Sequence, residues 1–127
     1  MHKKQDVHRT EEEIDLAPLL EDCLGQLDML EDLLSLYKQN ALEFMGTVKH
    51  CLEIEDFDGI SFAAHKIKGG LKLLRTEALV SMAEQIHHHS KTSRNPAALY
   101  HWYQAFLVEY PRVEAGLDKA LEQLRKN

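Results

Sequence analysis

Eight histidines in a chain of 127 residues make imidazole chemistry the first thing to look for. One of them, His65, has suitable company: Ser61 before it, and Lys68, Gly69 and Lys72 after it. In a helix, residues three, four and seven positions apart share a face. The segment's apolar residues predict such a helix, because Phe57, Ile60, Ala64, Ile67, Leu71 and Leu74 recur in steps of 3 and 4. At about 100° per residue, with Ile60 at zero, those six fall between about −40° and +60°. His65 falls at about 140°, with Ser61, Lys68 and Lys72 at about 100°, 80° and 120°. The imidazole is therefore expected in solvent, on a ridge with two ammonium groups and with bare backbone at Gly69 one turn away.

Such a ridge suits the transfer of an anionic group. A neutral imidazole nitrogen is a nucleophile, and histidine is the side chain poised between its forms near neutral pH. Lys68 and Lys72 would stabilise an arriving anion. Phe62 and Leu73, at about 200° and 220°, flank His65 on the other side. With Ser61 and Ala64 they are candidates for a docking surface, since apolar residues around a reactive group suit contact with another protein. The plain alternative is a solvated helix face, with Phe62 and Leu73 packed on a neighbouring helix. Gly69-Gly70 resists that reading, because each glycine inside a helix costs about 1 kcal/mol relative to alanine. The angle of Gly69 (about 180°) fits access to His65, and that of Gly70 (about 280°) fits close helix packing.

The rest of the chain must hold that ridge. Glycine and proline are few, and no alternating apolar pattern supports strands. A short first helix is predicted from about Asp15 to Leu24, with Leu16, Leu19, Leu20 and Cys23 on one side, Pro18 in its first turn and Gly25 after its end. A second runs from about Asp28 to Glu53 on Leu27, Leu30, Leu34, Tyr37, Ala41, Phe44, Val48 and Cys51. Asp56 is placed to cap the third helix, which extends to about Leu74, and Thr76 to cap the fourth, whose Leu79, Met82, Ala83 and Ile86 face inward. Residues 90–94 read as a loop, and Asn95-Pro96 as cap and first position of the last helix. Leu99, Trp102, Phe106, Tyr110, Val113, Leu117, Leu121 and Leu124 line that helix, and Pro111 predicts a kink or brief break in it. The fold expected is all-α: an antiparallel four-helix bundle with a short extra N-terminal helix. One domain over 13–127 follows a polar tail, expected to be disordered, over 1–12.

Composition narrows the function. Hydrophobic content of 44% and charged content of 28% are ordinary for a globular domain. A net charge of −6 argues against nucleic-acid binding, which needs excess lysine and arginine. No signal peptide or spanning apolar run is visible, so a cytoplasmic chain without membrane insertion is expected. Cys23 and Cys51 form no C-x-x-C pair and read as small apolar residues.

The stretch Ala63-Ala64-His65-Lys66-Ile67-Lys68-Gly69-Gly70 closely resembles the signature A-H-x-[IL]-K-G-[SAG] of histidine-containing phosphotransfer (HPt) domains. Asp56, nine residues before the histidine, is similar to an acidic residue common at that point in the family. The resemblance covers roughly Leu27 to Ile86, with the last helix fitting more loosely, and AHKIKGGLKLL looks most like modules that end hybrid sensor histidine kinases. It implies that His65 is phosphorylated on Nε2, that Lys68 contacts the phosphoryl oxygens, and that Gly69 gives the partner access. The implied partners are a hybrid kinase and response-regulator receiver domains, which would supply Mg²⁺; the chain is expected to be a monomeric phosphocarrier with no cofactor or metal of its own. With no nucleotide-binding glycine loop or Walker lysine, no ATP chemistry is expected. Two departures stand out. His87 occupies a position where the family often has glutamine to bond the imidazole or phosphate, so its supporting role is in question. The family's glycine near the end of the third helix is missing, with Leu73, Leu74 and Arg75 in its place.

Other classes remain to be weighed. His87-His88-His89 with His65 and His101 suggests zinc, but consecutive helical residues point about 100° apart and do not converge. A helical interaction module that no longer takes phosphate would not need the intact His65, Lys68 and Gly69. A hydrolase finds no G-x-S-x-G.

Overall fold

The computed structural model describes residues 13–126, so the tail expected over 1–12 lies outside the described residues. Five helices follow one another: α1 (Ala17–Asp22), α2 (Leu27–Ile54), α3 (Phe57–Leu73), α4 (Glu77–Lys91) and α5 (Pro96–Lys126). No strand occurs among the described residues. The long helices close a ring in which α2 packs on α3 and α5, and α4 on α3 and α5, while α1 leans on α2. This is the expected antiparallel bundle with its short additional helix.

The apolar stripes do the packing. Leu30, Leu34, Tyr37, Ala41, Phe44, Val48 and Cys51 of α2 are all buried, as are Ile60, Ala64, Ile67 and Leu71 of α3 and Leu79, Ala83 and Ile86 of α4. They meet Leu99, Tyr103, Phe106, Tyr110, Val113, Leu117 and Leu121 of α5. Leu16, Leu19 and Cys23 are buried too, so α1 covers one end of the bundle. At 28 and 31 residues, α2 and α5 span about 42 and 47 Å, whereas α3 and α4 reach only about 26 and 23 Å. The α3–α4 turn therefore falls beside the middle of the long pair, where the Tyr37 hydroxyl meets Thr76. Beyond it α2 and α5 continue together, tied by Arg125 to Glu31 (2.8 Å) and by Lys38 to Asp118.

Three of the four connections use one device. In each, the helix ends on a residue in the left-handed region, Leu24 (φ 58°), Glu55 (φ 55°) or Arg75 (φ 57°). The next amide then bonds back five residues: Gly25 to Leu20, Asp56 to Cys51, Thr76 to Leu71. Together with Leu24 N–H to Glu21, Glu55 N–H to Leu52 and Arg75 N–H to Lys72, these pairs make the Schellman arrangement that satisfies a helix's last carbonyls. Glycine usually takes the left-handed position because it carries no Cβ. Here leucine, glutamate and arginine take it. The glycine missing at the end of α3 is thus replaced by a strained arginine, with the turn itself retained.

Several local expectations need correction. Thr76 precedes α4 but does not cap it; its hydroxyl donates to the Leu71 carbonyl at 2.9 Å and accepts from Tyr37, so it closes α3 instead. Burial pushes the Tyr37 hydroxyl up to about 12, against a smaller opposing effect of the Thr76 bond. The loop expected over 90–94 begins later, because Ser90 is buried inside α4 and donates to the His87 carbonyl. Helix α5 runs unbroken through Pro111, so the predicted break does not occur. The caps at Asp56 and Asn95 form as predicted: Asp56 accepts the Gly59 amide at 2.9 Å, and Asn95 those of Ala97 and Ala98. Gly59 suits that cap, since a Cβ would lie 2.6 Å from the Asp56 carboxylate and 2.8 Å from the Cys51 sulfur, and these side chains would have to shift.

The strained turn gives a direct test. Arg75→Gly is expected to raise stability by up to about 1 kcal/mol in urea unfolding, because relief of the left-handed residue exceeds glycine's added freedom in the unfolded chain. Arg75→Ala, which keeps the Cβ, should gain nothing.

Candidate functional site

Helix α3 presents His65 to solvent. Its rotation is set by Ile60 and Ala64 on one side and by Ile67 and Leu71 above, all buried, which leaves position 65 on the outer face. Next to it, α4 brings His87, whose ring centroid is 5.6 Å from that of His65, the two planes tilted by 43°. The Lys68 ammonium reaches across the helix pair to His87 Nδ1 at 3.4 Å. A shallow hollow is lined by Asp58, Ser61, Phe62, His65, His87, Lys91 and Arg94. The arrangement is an accessible imidazole beside a second imidazole, within a rim of cations.

The sequence-predicted residues distribute unevenly around this hollow. Ser61, Phe62 and His87 line it, and Lys68 bonds to its wall. Lys72 does not reach it, standing instead over a separate hollow with Arg75, Glu77, Val80, Ser81 and Glu84. Its i+7 spacing keeps it on the same face but two turns away, about 10 Å along the axis. Ala64 is fully buried, so its assignment to a docking surface is wrong; its methyl belongs to the core stripe. Phe62 and Leu73 are exposed at 71% and 50%, which removes the alternative that they pack on another helix. Gly69 and Gly70 are both exposed, and a Cβ on either would meet nothing within 4 Å. Close helix packing therefore does not explain Gly70, which borders an apolar groove between α2 and α3 along with Tyr37, Phe44, Ala63 and Ile67. Phe62 lines both that groove and the His65 hollow.

Sequence reasoning missed Lys91, Arg94 and Asp58. Lys91 was legible, because it follows His87 by one helical turn and so shares its face. Arg94 was not. It sits in the α4–α5 turn with φ 50°, and only the folded turn brings its guanidinium to Asp58 at 2.8 Å and over the Phe57 ring at 5.7 Å. The ion pair is exposed and contributes little to stability by itself. The histidine run diverges as helical geometry requires: His87 turns to Lys68, while His89 turns to Ser93. Among the described residues, no group of three or more His, Cys, Asp or Glu gathers that could hold a metal ion. None of the described helices is long and apolar enough to cross a membrane.

Comparison with known families gives one match: the profile of the Hpt domain fits residues 32–127. The fit includes the whole of α5, so the similarity extends further than the stretch from Leu27 to Ile86, and it begins inside α2, leaving α1 outside. No curated protein and no solved structure matches the chain.

The site has a consequence for stability. Burial, and then the charges of Lys68, Lys91 and His65, hold His87 below the ordinary histidine range. As pH falls from about 6.5, the unfolded chain binds this proton before the folded one does. The contribution of His87 is thus complete above about pH 6.5 and is lost as pH drops through the lowered folded value. Chemical denaturation at a series of pH values should show this acid loss in the wild type, and a smaller one in His87→Gln.

Proposed function

This chain belongs to the Hpt domain family, whose members serve histidine phosphotransfer in phosphorelays, and on that premise we propose that His65 accepts a phosphoryl group from one receiver-domain aspartate and passes it to another. A hybrid sensor histidine kinase would stand upstream and a response regulator downstream. In the forward step the lone pair of His65 Nε2 attacks phosphorus, the P–N bond forms, the P–O bond to the aspartyl carboxylate breaks, and that carboxylate departs as the leaving group. The imidazole keeps its Nδ1 proton. Transfer onward reverses the same exchange on a second carboxylate. The receiver would supply Mg²⁺ to balance the phosphoryl charge, and this chain supplies an oriented nucleophile.

The observation that carries this reading is an exposed His65 with the His87 ring 5.6 Å away and the Lys68 ammonium, one turn on from His65, bonded to that ring. A positioned cation stabilises charge on the phosphoryl group as it moves. Phe62 and Leu73 offer apolar surface for the docked receiver, and Gly69 keeps the approach clear. With Arg94 paired to Asp58, Lys91 and Lys68 carry the positive charge beside His65 inside a chain of net charge −6, a pattern that steers an acidic partner face to this spot and weakens with salt.

Incubation with receiver domains charged by acetyl phosphate should place an acid-labile, alkali-stable label on the wild type and none on His65→Gln. An unlabelled wild type across a broad set of receivers would favour a helical interaction module. Gly69→Ala separates access from folding. Nothing crowds its Cβ, so the variant should gain about 1 kcal/mol of stability from helix propensity and still accept phosphate more slowly.

A further inference from the structure

We infer that His87 is the positioning residue of this centre, with Nδ1 holding the Lys68 ammonium beside His65, Nε2–H left as the ring's donor, and acid releasing the hold. The inference rests on the phosphotransfer reading above and adds a control to it.

The assignment follows from which groups can donate. An ammonium has three N–H bonds and no acceptor. At 3.4 Å from the Lys68 ammonium, His87 Nδ1 takes part in a hydrogen bond only through its lone pair. A neutral imidazole has one proton, so that proton is on Nε2. The ring then works in two directions, accepting from Lys68 on one edge and donating from the other, within 5.6 Å (centroid to centroid) of His65. A glutamine carboxamide has the same pair of functions, an oxygen that accepts and an amide that donates, but it does not titrate.

The surroundings decide the response to acid. From α3, His87 is faced by Lys68, His65 and Asp58; Lys91 lies one turn on in α4, and Arg94 comes from the turn beyond. No residue of α5 lines the hollow among the described residues. Asp58 is the one carboxylate there, and it is already engaged by Arg94. With Arg94 and Asp58 paired, a proton on His87 would add a cation beside Lys68 and Lys91, in keeping with the lowered proton affinity that burial, Lys68, Lys91 and His65 together produce. Once protonated at Nδ1, the ring has no lone pair for Lys68 and repels it. The ammonium swings free and His65 loses its flanking charge. At neutral pH the centre is assembled, and acidification disassembles it before the fold is lost.

Nitrogen-15 NMR of the histidine-labelled full chain reads the tautomer without any partner. The expected result near neutral pH is an unprotonated Nδ1 and a protonated Nε2 on His87, shifting to a tautomer mixture in Lys68→Met. Kinetics supply the second arm, using receiver domains charged with acetyl phosphate. His87→Ala should label His65 about tenfold more slowly, and His87→Gln should restore the rate. Between about pH 8 and about pH 5 the wild type should lose rate more steeply than His87→Gln, which retains its acceptor throughout. A proton found on Nδ1 at neutral pH, or equal acid profiles for the wild type and His87→Gln, would overturn the inference. Failure of the wild type to take label would instead tell against phosphotransfer itself, since the tautomer measurement does not depend on it.

Discussion

Everything at the site depends on the rotation of α3 about its own axis. Consecutive residues on a helix point about 100° apart, so turning α3 by one position would exchange His65 with the side chain of Ala64 or Lys66. Ile60, Ala64, Ile67 and Leu71 prevent this, because each is enclosed between α2 and α4 and none tolerates transfer to water. Burying a side chain of this size contributes roughly 1.5–3 kcal/mol. Misrotation would forfeit several such contributions together, and no exposed contact on the other face comes close to compensating. His65 is presented to solvent by the residues that avoid it.

That constraint also explains what the sequence could reveal. Steps of 3 and 4 located the helices, their inward faces and the outward position of His65, because all of these depend on one helix at a time. Asp56 and Asn95 were readable as caps for the same reason: the bonds they make span two or three residues. Thr76 was misread, although its position was right. Its hydroxyl had a choice between the first amides of α4 and the last carbonyl of α3, and the nearby Tyr37 hydroxyl, 39 residues away, favoured the second. Ala64 shows the cost of treating a motif as a surface, since a signature residue can be there to pack. Lys72 was placed on the right face and at the wrong distance, because an angular projection discards the rise along the axis.

Only part of α4's share of the site was legible: His87 by its match to a family position and Lys91 by its spacing from His87, but not Arg94. His87, Lys91 and Arg94 meet His65 only because α4 lies antiparallel against α3 and the following turn folds back over Phe57. A position where the family often has glutamine carries histidine here, and its meaning changed once Lys68 was seen bonded to it. Judged alone, the substitution looked like a weakened version of a familiar contact. Judged with its partner, it has both edges of the carboxamide and a sensitivity the carboxamide lacks.

The unequal lengths of the helices divide the molecule into two regimes. Where α3 and α4 run alongside, four helices enclose the core, and His65 stands on the outer face of that half. Past the α3–α4 turn, α2 and α5 pack only on each other and on α1, through Leu30, Leu34, Leu117 and Leu121, with two ion pairs at their surface. Fewer apolar neighbours mean a lower free energy of local opening, so fluctuations should concentrate in that far half and fade towards His65. The distal ends of the long helices can therefore loosen first, several turns from His65, which lies mid-way along α3.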